Sequence, residues 1–191
     1  MPFHYMFSEI AICLASGWGA GRLFRDRQAI GAFGVGLFAL AATIGIVRIA
    51  TGADALLAPA HRFASQAGGI FALALIVSQI AKNRGWTPSL WTILACASAA
   101  AAPAALAGPV LGAFIFLALL AFGTFLLATN SHSKRRVPAA IWFASMAPNI
   151  LLVRQSPILD PAVSWHAYHL ITALWLIAIV AALRPSSRGH G

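Results

Sequence analysis

Charge is what this sequence has least of. Only 9% of its residues are Asp, Glu, Lys or Arg, against about 25% in a soluble domain. With 60% hydrophobic residues and a mean hydropathy of +0.83, the chain has too little polar material to cover a water-facing globule. That excludes a soluble domain and leaves an integral membrane protein. Acidic residues are scarcer still, four against thirteen Lys and Arg. The net charge of +9 would suit a phosphate backbone. The bases, however, fall in short clusters between apolar runs and no basic domain stands apart, so no nucleic-acid partner is expected. Cysteine is limited to Cys13 and Cys96, both inside apolar runs and without CxxC or Cys/His spacing. They read as small hydrophobes, with no disulfide framework and no thiolate metal site. Lysine occurs only at Lys82 and Lys134, both between runs, which excludes a mid-span Schiff base to retinal. No phosphate-binding glycine loop or Ser-His-Asp signature is present.

The apolar material falls into seven runs, each able to cross about 30 Å of hydrocarbon as a helix. They lie at about 5–24, 29–49, 60–81, 88–107, 109–129, 137–153 and 160–183. "FRDRQ", "KNRGWTP", the Gly-Pro at 108–109 and "NSHSKRRVP" supply the charge, Gly or Pro that turns need. The opening "MPFHYMFSEIAICLAS" has no positive n-region and carries Glu9 within its apolar stretch, so a retained first helix is expected. The small-residue stretch "ACASAAAAPAALAGPVLGA" predicts a tight hairpin buried in the bundle. Pro103 and Pro148 predict kinks. The fold class is therefore all-α, a single seven-helix transmembrane domain over residues 1–191.

Orientation follows from the short loops. Arg22, Arg25, Arg27, Lys82, Arg84, Lys134, Arg135, Arg136, Arg184 and Arg188 share one side, leaving Arg48, Arg62 and Arg154 for the other. This puts the N-terminus outside and the C-terminus in the cytoplasm, with a bacterial inner membrane as the expected location. The chemistry-bearing side chains then collect at the outer end. Glu9, Asp54 and Asp160 lie there, with only Asp26 inside. His4, His61, His166 and His169 lie there, with His132 and His190 inside. Ionisable groups within spans mark functional sites.

The last run begins "SWHAYHLITAL". Three residues on a helix turn through about 300°, so His166 and His169 point to nearly one face and can offer two nitrogens to one metal. His61 is the natural third ligand of a zinc site with an open position. Glu9 or Asp54 would orient a ligand or act as general base. Alternatives stay open: the histidines can pack at the interface, Glu9 can pair with Arg48 or Arg62, and His61 with His169 can hold a haem. Whether the site is catalytic or only binds, the imidazoles at 166 and 169 are expected to face the bundle interior. Glu9, Arg48, Ser65 and Gln66 are the nearest pocket partners in depth, and Leu170, Leu174, Ile177 and Ala181 form the lipid-facing stripe.

The seven-span layout and "SWHAYHLITAL" resemble the superfamily of alkaline ceramidases, adiponectin receptors and haemolysin-III-like proteins. There a seven-helix bundle holds zinc through a histidine at span two and an HxxxH pair at span seven. This chain has HxxH, and Val47 and Arg48 stand where the span-two histidine is expected. The resemblance implies a zinc-dependent hydrolase acting on a lipid amide or ester at the outer face. The alternative is a non-catalytic bundle that binds a membrane lipid, small ligand or partner through the same pocket.

Overall fold

The computed structural model describes residues 2–130, 136–154 and 156–183. Lys134, Arg135, Arg184, Arg188, His132 and His190, used above for orientation and site placement, lie outside the described residues. The elements are α1 (Tyr5–Arg25), α2 (Ala29–Thr51), α3 (Asp54–Asn83), α4 (Leu90–Ala107), α5 (Pro109–Ala128), α6 (Arg136–Ala144), a one-turn α7 (Met146–Pro148), a π-helical turn (Asn149–Val153) and α8 (Pro161–Leu183). Six segments are long and apolar enough to cross a membrane: α2, α3, α4, α5, the composite Arg136–Val153 and α8. No strand occurs among the described residues. The architecture is that of a polytopic helical membrane protein.

The outside of this bundle is apolar and much of its inside is small or polar. On α1 the exposed side chains include Phe7, Leu14, Trp18 and Phe24, while Ser8, Glu9, Ala15, Ser16 and Gly19 are buried. That pattern suits hydrocarbon, where large apolar groups gain nothing by leaving the lipid and small residues let helices approach. Gly34 shows the effect. A Cβ there would lie 2.7 Å from the Ala72 carbonyl oxygen of α3. The main core joins α1, α2, α3, α5, α6 and α8 around Leu73, Ile76, Phe143, Trp175 and Leu176. The Trp175 indole N–H, fully buried, donates to the Phe143 carbonyl at 3.0 Å.

Three features depart from the sequence reading. First, α3 begins at Asp54, several residues earlier than its apolar run. Gly52, in the left-handed conformation at φ 67°, ends α2, and Asp54 enters the first turn of α3, where a carboxylate is favoured by the helix dipole. Asp54 is therefore a helical residue and not a loop residue. Second, the α4–α5 hairpin lies at the edge of the bundle. α4 buries only the narrow stripe Ile93, Ala97, Ala101 and Ala104, and leaves Trp91 and Leu106 exposed. Third, the helix after Pro148 continues as a π turn closed by Arg154 N–H to Asn149 O at 3.0 Å. Pro103 and Pro59 both lie inside their helices.

The contact at Gly34 gives a paired test. Gly34→Ala should lower the thermal midpoint of the purified protein, by about 1–3 kcal/mol of stability, because the opposing atom is backbone. Gly17→Ala, where nothing lies within 4 Å, should leave it unchanged or slightly raised. Equal midpoints for the two variants would refute the close-packing account of the α2–α3 crossing.

Candidate functional site

Four helices converge on one carboxylate. Glu9 of α1 is 2% exposed. Its Oε1 lies 3.5 Å from Nε2 of His61 on α3 and 3.5 Å from Nε2 of His169 on α8. The fourth helix contributes by what it lacks. A Cβ on Gly45 of α2 would sit 2.8 Å from Glu9 Cδ and Oε1 and 3.0 Å from His61 Nε2. Any side chain there would displace the cluster.

The 3.5 Å separations suit an ion pair and exceed the 2.7–3.2 Å range of an N–H···O hydrogen bond. Glu9 Oε1 is buried without a hydrogen-bond partner. On the other side of His169, Nδ1 is 2.7 Å from the Trp165 carbonyl. A carbonyl can only accept, so Nδ1 carries the proton. In a neutral ring Nε2 then turns a lone pair towards Glu9. Two acceptors facing each other in a buried site call for a cation between them, either a proton or a metal. Donation of the remote ring nitrogen to a backbone carbonyl is also the usual way of orienting a metal-binding histidine. Trp165 stacks on the His169 ring at 4.3 Å between centroids and holds its plane. Among the described residues, no group of three or more His, Cys, Asp or Glu forms a ready metal-binding set.

The cluster opens onto a cavity of about 580 Å³, within the range of small-ligand sites. Glu9, His61, His169, Arg48, Ser65 and Gln66 line it, as do Arg62, Arg154, Trp165 and Tyr168. The Ser65 hydroxyl donates to the Arg62 carbonyl of its own helix at 3.2 Å. Arg48, 8% exposed, pairs through Nε with Asp54 at 3.5 Å. Asp54 is not on the cavity wall and is not brought to the histidines. Arg154 lies 5.3 Å over the Tyr168 ring.

His166 is also directed elsewhere. Its Nδ1 lies 3.2 Å from Ser8 Oγ and its Nε2 lies 2.9 Å from His4 Nδ1. Ser8 donates its one proton to the Tyr5 carbonyl, so it accepts from His166 Nδ1–H. The neutral His166 ring then accepts from His4 at Nε2. The two histidines of α8 therefore share no partner. A spacing of three leaves them about 60° apart, enough for His166 to face α1 while His169 enters the cavity. Both avoid the exposed stripe, which does run through Leu170, Leu174, Ile177 and Ala181.

Gly45 and Arg154 are the residues that sequence reasoning missed at this site. Gly45 is one of sixteen glycines, and nothing local in "TIGIVRIATG" separates it from the others. Arg154 was visible only as a base on the outer side. Comparison with family models, with curated proteins and with solved structures finds no match, so the resemblance drawn from the sequence remains one of motif and layout.

Gly45 supplies the test of this geometry. Gly45→Ala should cost about 1–3 kcal/mol through overpacking. In a Glu9→Ala background most of that cost should disappear, because the two nearest atoms are gone and His61 Nε2, at 3.0 Å, gains room to move aside, giving strong non-additivity. Additive losses in thermal or denaturant unfolding would show that Glu9 does not lie against Gly45.

Proposed function

We propose that the chain is a seven-span membrane protein, N-terminus outside and C-terminus cytoplasmic, whose outer cavity is the site of a metal-dependent hydrolase acting on a lipid amide or ester. α1, at 21 residues, is roughly 30 Å long and packs along α2 and α8, which supports counting it as the seventh span. Arg22, Arg25, Arg27, Lys82, Arg84 and Arg136 lie at the ends of helices away from Glu9, in keeping with a cytoplasmic location there.

One observation carries the chemistry: a buried Glu9 oxygen stands 3.5 Å from two imidazole nitrogens. Ligands of a tetrahedral zinc with bonds of 2.0–2.1 Å are about 3.3 Å apart, so these separations come near that spacing. His₂Glu with one open position is an established catalytic zinc set. Glu9, His61 and His169 would hold the ion, and closing the set takes a side-chain adjustment that binding would drive. When bound, such a metal polarises a carbonyl and acidifies water. The protein's own contributions are separate from that. The Trp165 carbonyl and indole fix the His169 ring, Glu9 offsets the cationic charge, and the apolar wall of α2 keeps water from the reacting linkage. In this assignment Glu9 is a ligand, and neither His166 nor Asp54 has a direct part.

The 3.5 Å separations suit an ion pair as well, and that favours one second reading. An imidazolium would take the metal's place, and the cavity would bind a lipid without turnover. Metal analysis of purified full-length protein distinguishes the two. The hydrolase reading expects about one divalent ion per chain, with release of product from lipid substrate. Glu9→Gln and His169→Ala should each lower metal content roughly tenfold or more, while His166→Ala should keep it. Metal-free protein with bound but uncleaved lipid would establish the second reading instead.

A further inference from the structure

Outside the cavity, a second pair of imidazoles joins the two ends of the chain. His4, at the N-cap of α1, places Nδ1 2.9 Å from Nε2 of His166 on α8. The ring centroids are 5.1 Å apart, so both nitrogens lie between the rings and nearly in line, as an N–H···N hydrogen bond prefers. The tautomers are set from the far side. Ser8 gives its proton to the Tyr5 carbonyl at 3.1 Å and accepts from His166 Nδ1–H at 3.2 Å, which leaves His166 Nε2 as an acceptor. His4 is therefore the donor.

Such a pair counts protons. With both rings neutral the bond is made. A first proton goes to the outer nitrogen of His4, and the bond persists in charge-assisted form. A second proton can bind only at His166 Nε2, where it removes the acceptor and leaves two cations face to face. The pair titrates as a unit, and its contribution is present while His166 is neutral and lost as pH falls and both rings become charged. The carboxylates at this end are engaged elsewhere. Glu9, next to Ser8, faces His61 and His169, and Asp54 pairs with Arg48. Asp160 accepts from the N–H groups of Ala162 and Val163 at 2.8 and 3.4 Å. The remaining groups at this end that carry charge below neutral pH among the described residues, His61, His169, Arg62 and Arg154, are all bases.

What the bond fastens is the first turn of α1, which has no side-chain cap of its own. Tyr5 stacks on His4 at 4.6 Å and on His166 at 5.5 Å, and meets Trp165 edge to face at 5.2 Å. Trp165 in turn covers the His169 ring. We infer that His4 and His166 form a proton-operated latch at the Glu9 end of the bundle, which holds the first turn of α1 on α8 near neutral pH and releases it when both rings are protonated. Release takes Tyr5 off Trp165, so the state of the latch reaches the residue that holds the His169 ring. The latch does not depend on what the cavity binds.

A double-mutant cycle on full-length protein in neutral detergent tests it. Native, His4→Ala, His166→Ala and doubly substituted proteins are unfolded thermally at about pH 7.5 and about pH 4.5. Titration at Glu9, His61 and His169 occurs in all four and cancels in the cycle. At the higher pH the two losses should be non-additive by about 2–4 °C in midpoint, and at the lower pH this coupling should vanish or reverse in sign. A spin label on Phe3→Cys, in a Cys13→Ala/Cys96→Ala background, reports release directly. It should be held at the higher pH, mobile at the lower one, and mobile at both in the His166→Ala protein. His166→Gln, whose amide oxygen accepts from His4 in either charge state, should keep the label held at both. Equal coupling at the two pH values, no coupling at the higher one, or a label whose mobility ignores pH would each overturn the latch. Release at low pH as complete in the His166→Gln protein as in the native one would overturn the assignment to this pair.

Discussion

The constraint around which this bundle is arranged is a carboxylate buried among apolar helices. Removing such a charge from water costs several kcal/mol even after relaxation, and the cost is recovered only through good partners. Glu9 draws its partners from α3 and α8, and it fits only because α2 has glycine at position 45. Four helices are thereby tied to one atom group. The placement of α1 between α2 and α8 follows, as does the empty space beside the cluster that becomes the cavity. Gly19, where a Cβ would lie 2.7 Å from Val180, already restricts the rotation of α1. Glu9 adds to this, because rotations that miss both histidines leave an uncompensated charge.

The far end of the bundle is joined by different means. Gln79 accepts from Gly31 N–H at 3.2 Å and donates to Asn83 Oδ1 at 3.0 Å, and Asn83 in turn donates to the Leu183 carbonyl at 3.1 Å. Arg84 caps the end of α5 through the Leu126 carbonyl at 2.9 Å and Thr129 Oγ1 at 2.7 Å. These are hydrogen bonds between fixed partners, and the pocket in this half of the bundle, beside Gly21, Phe24, Ala32 and Phe33, is lined by apolar residues alone. Polar chemistry at this end stabilises the packing, and at the Glu9 end it lines a cavity. That asymmetry agrees with a site reached from one face of the membrane.

The helices were readable because hydrocarbon imposes a length and a composition on each run, and the ends of α1, α2, α4, α5 and α8 fall close to where the runs end. The start of α3 was not, because "DALLAPAHRF" holds a proline, a histidine and an arginine and looks like a loop until its packing is known. At the site, residue types were legible and pairings were not. Glu9, His61 and His169 could be placed at the outer ends of their spans, with His61, at the head of its run, read as closer to the interface than His169. Whether His166 would join them depended on a 60° difference in direction, which only the neighbouring α1, with its Ser8 and His4, decides. Gly45 was hidden because its role is to be absent.

The π turn at Asn149–Val153 sets a counting constraint on the whole C-terminal part of the chain. A π turn holds one residue more than an α-helical path would need, and here the displaced groups have been given work. Asn149 Nδ2 donates to the Tyr168 carbonyl at 3.1 Å, and Ser164 Oγ donates to the Val153 carbonyl at 2.6 Å. Both bonds clamp the turn to the first half of α8, just where Trp165 and His169 project. A chain shortened by one residue here could form an ordinary α-helix, with a locally better backbone. Arg154 would then rotate by about 100° away from Tyr168. Sequence length in this stretch is therefore under tighter restraint than sequence identity: the apolar residues at 150–153 can vary in kind, but their number cannot.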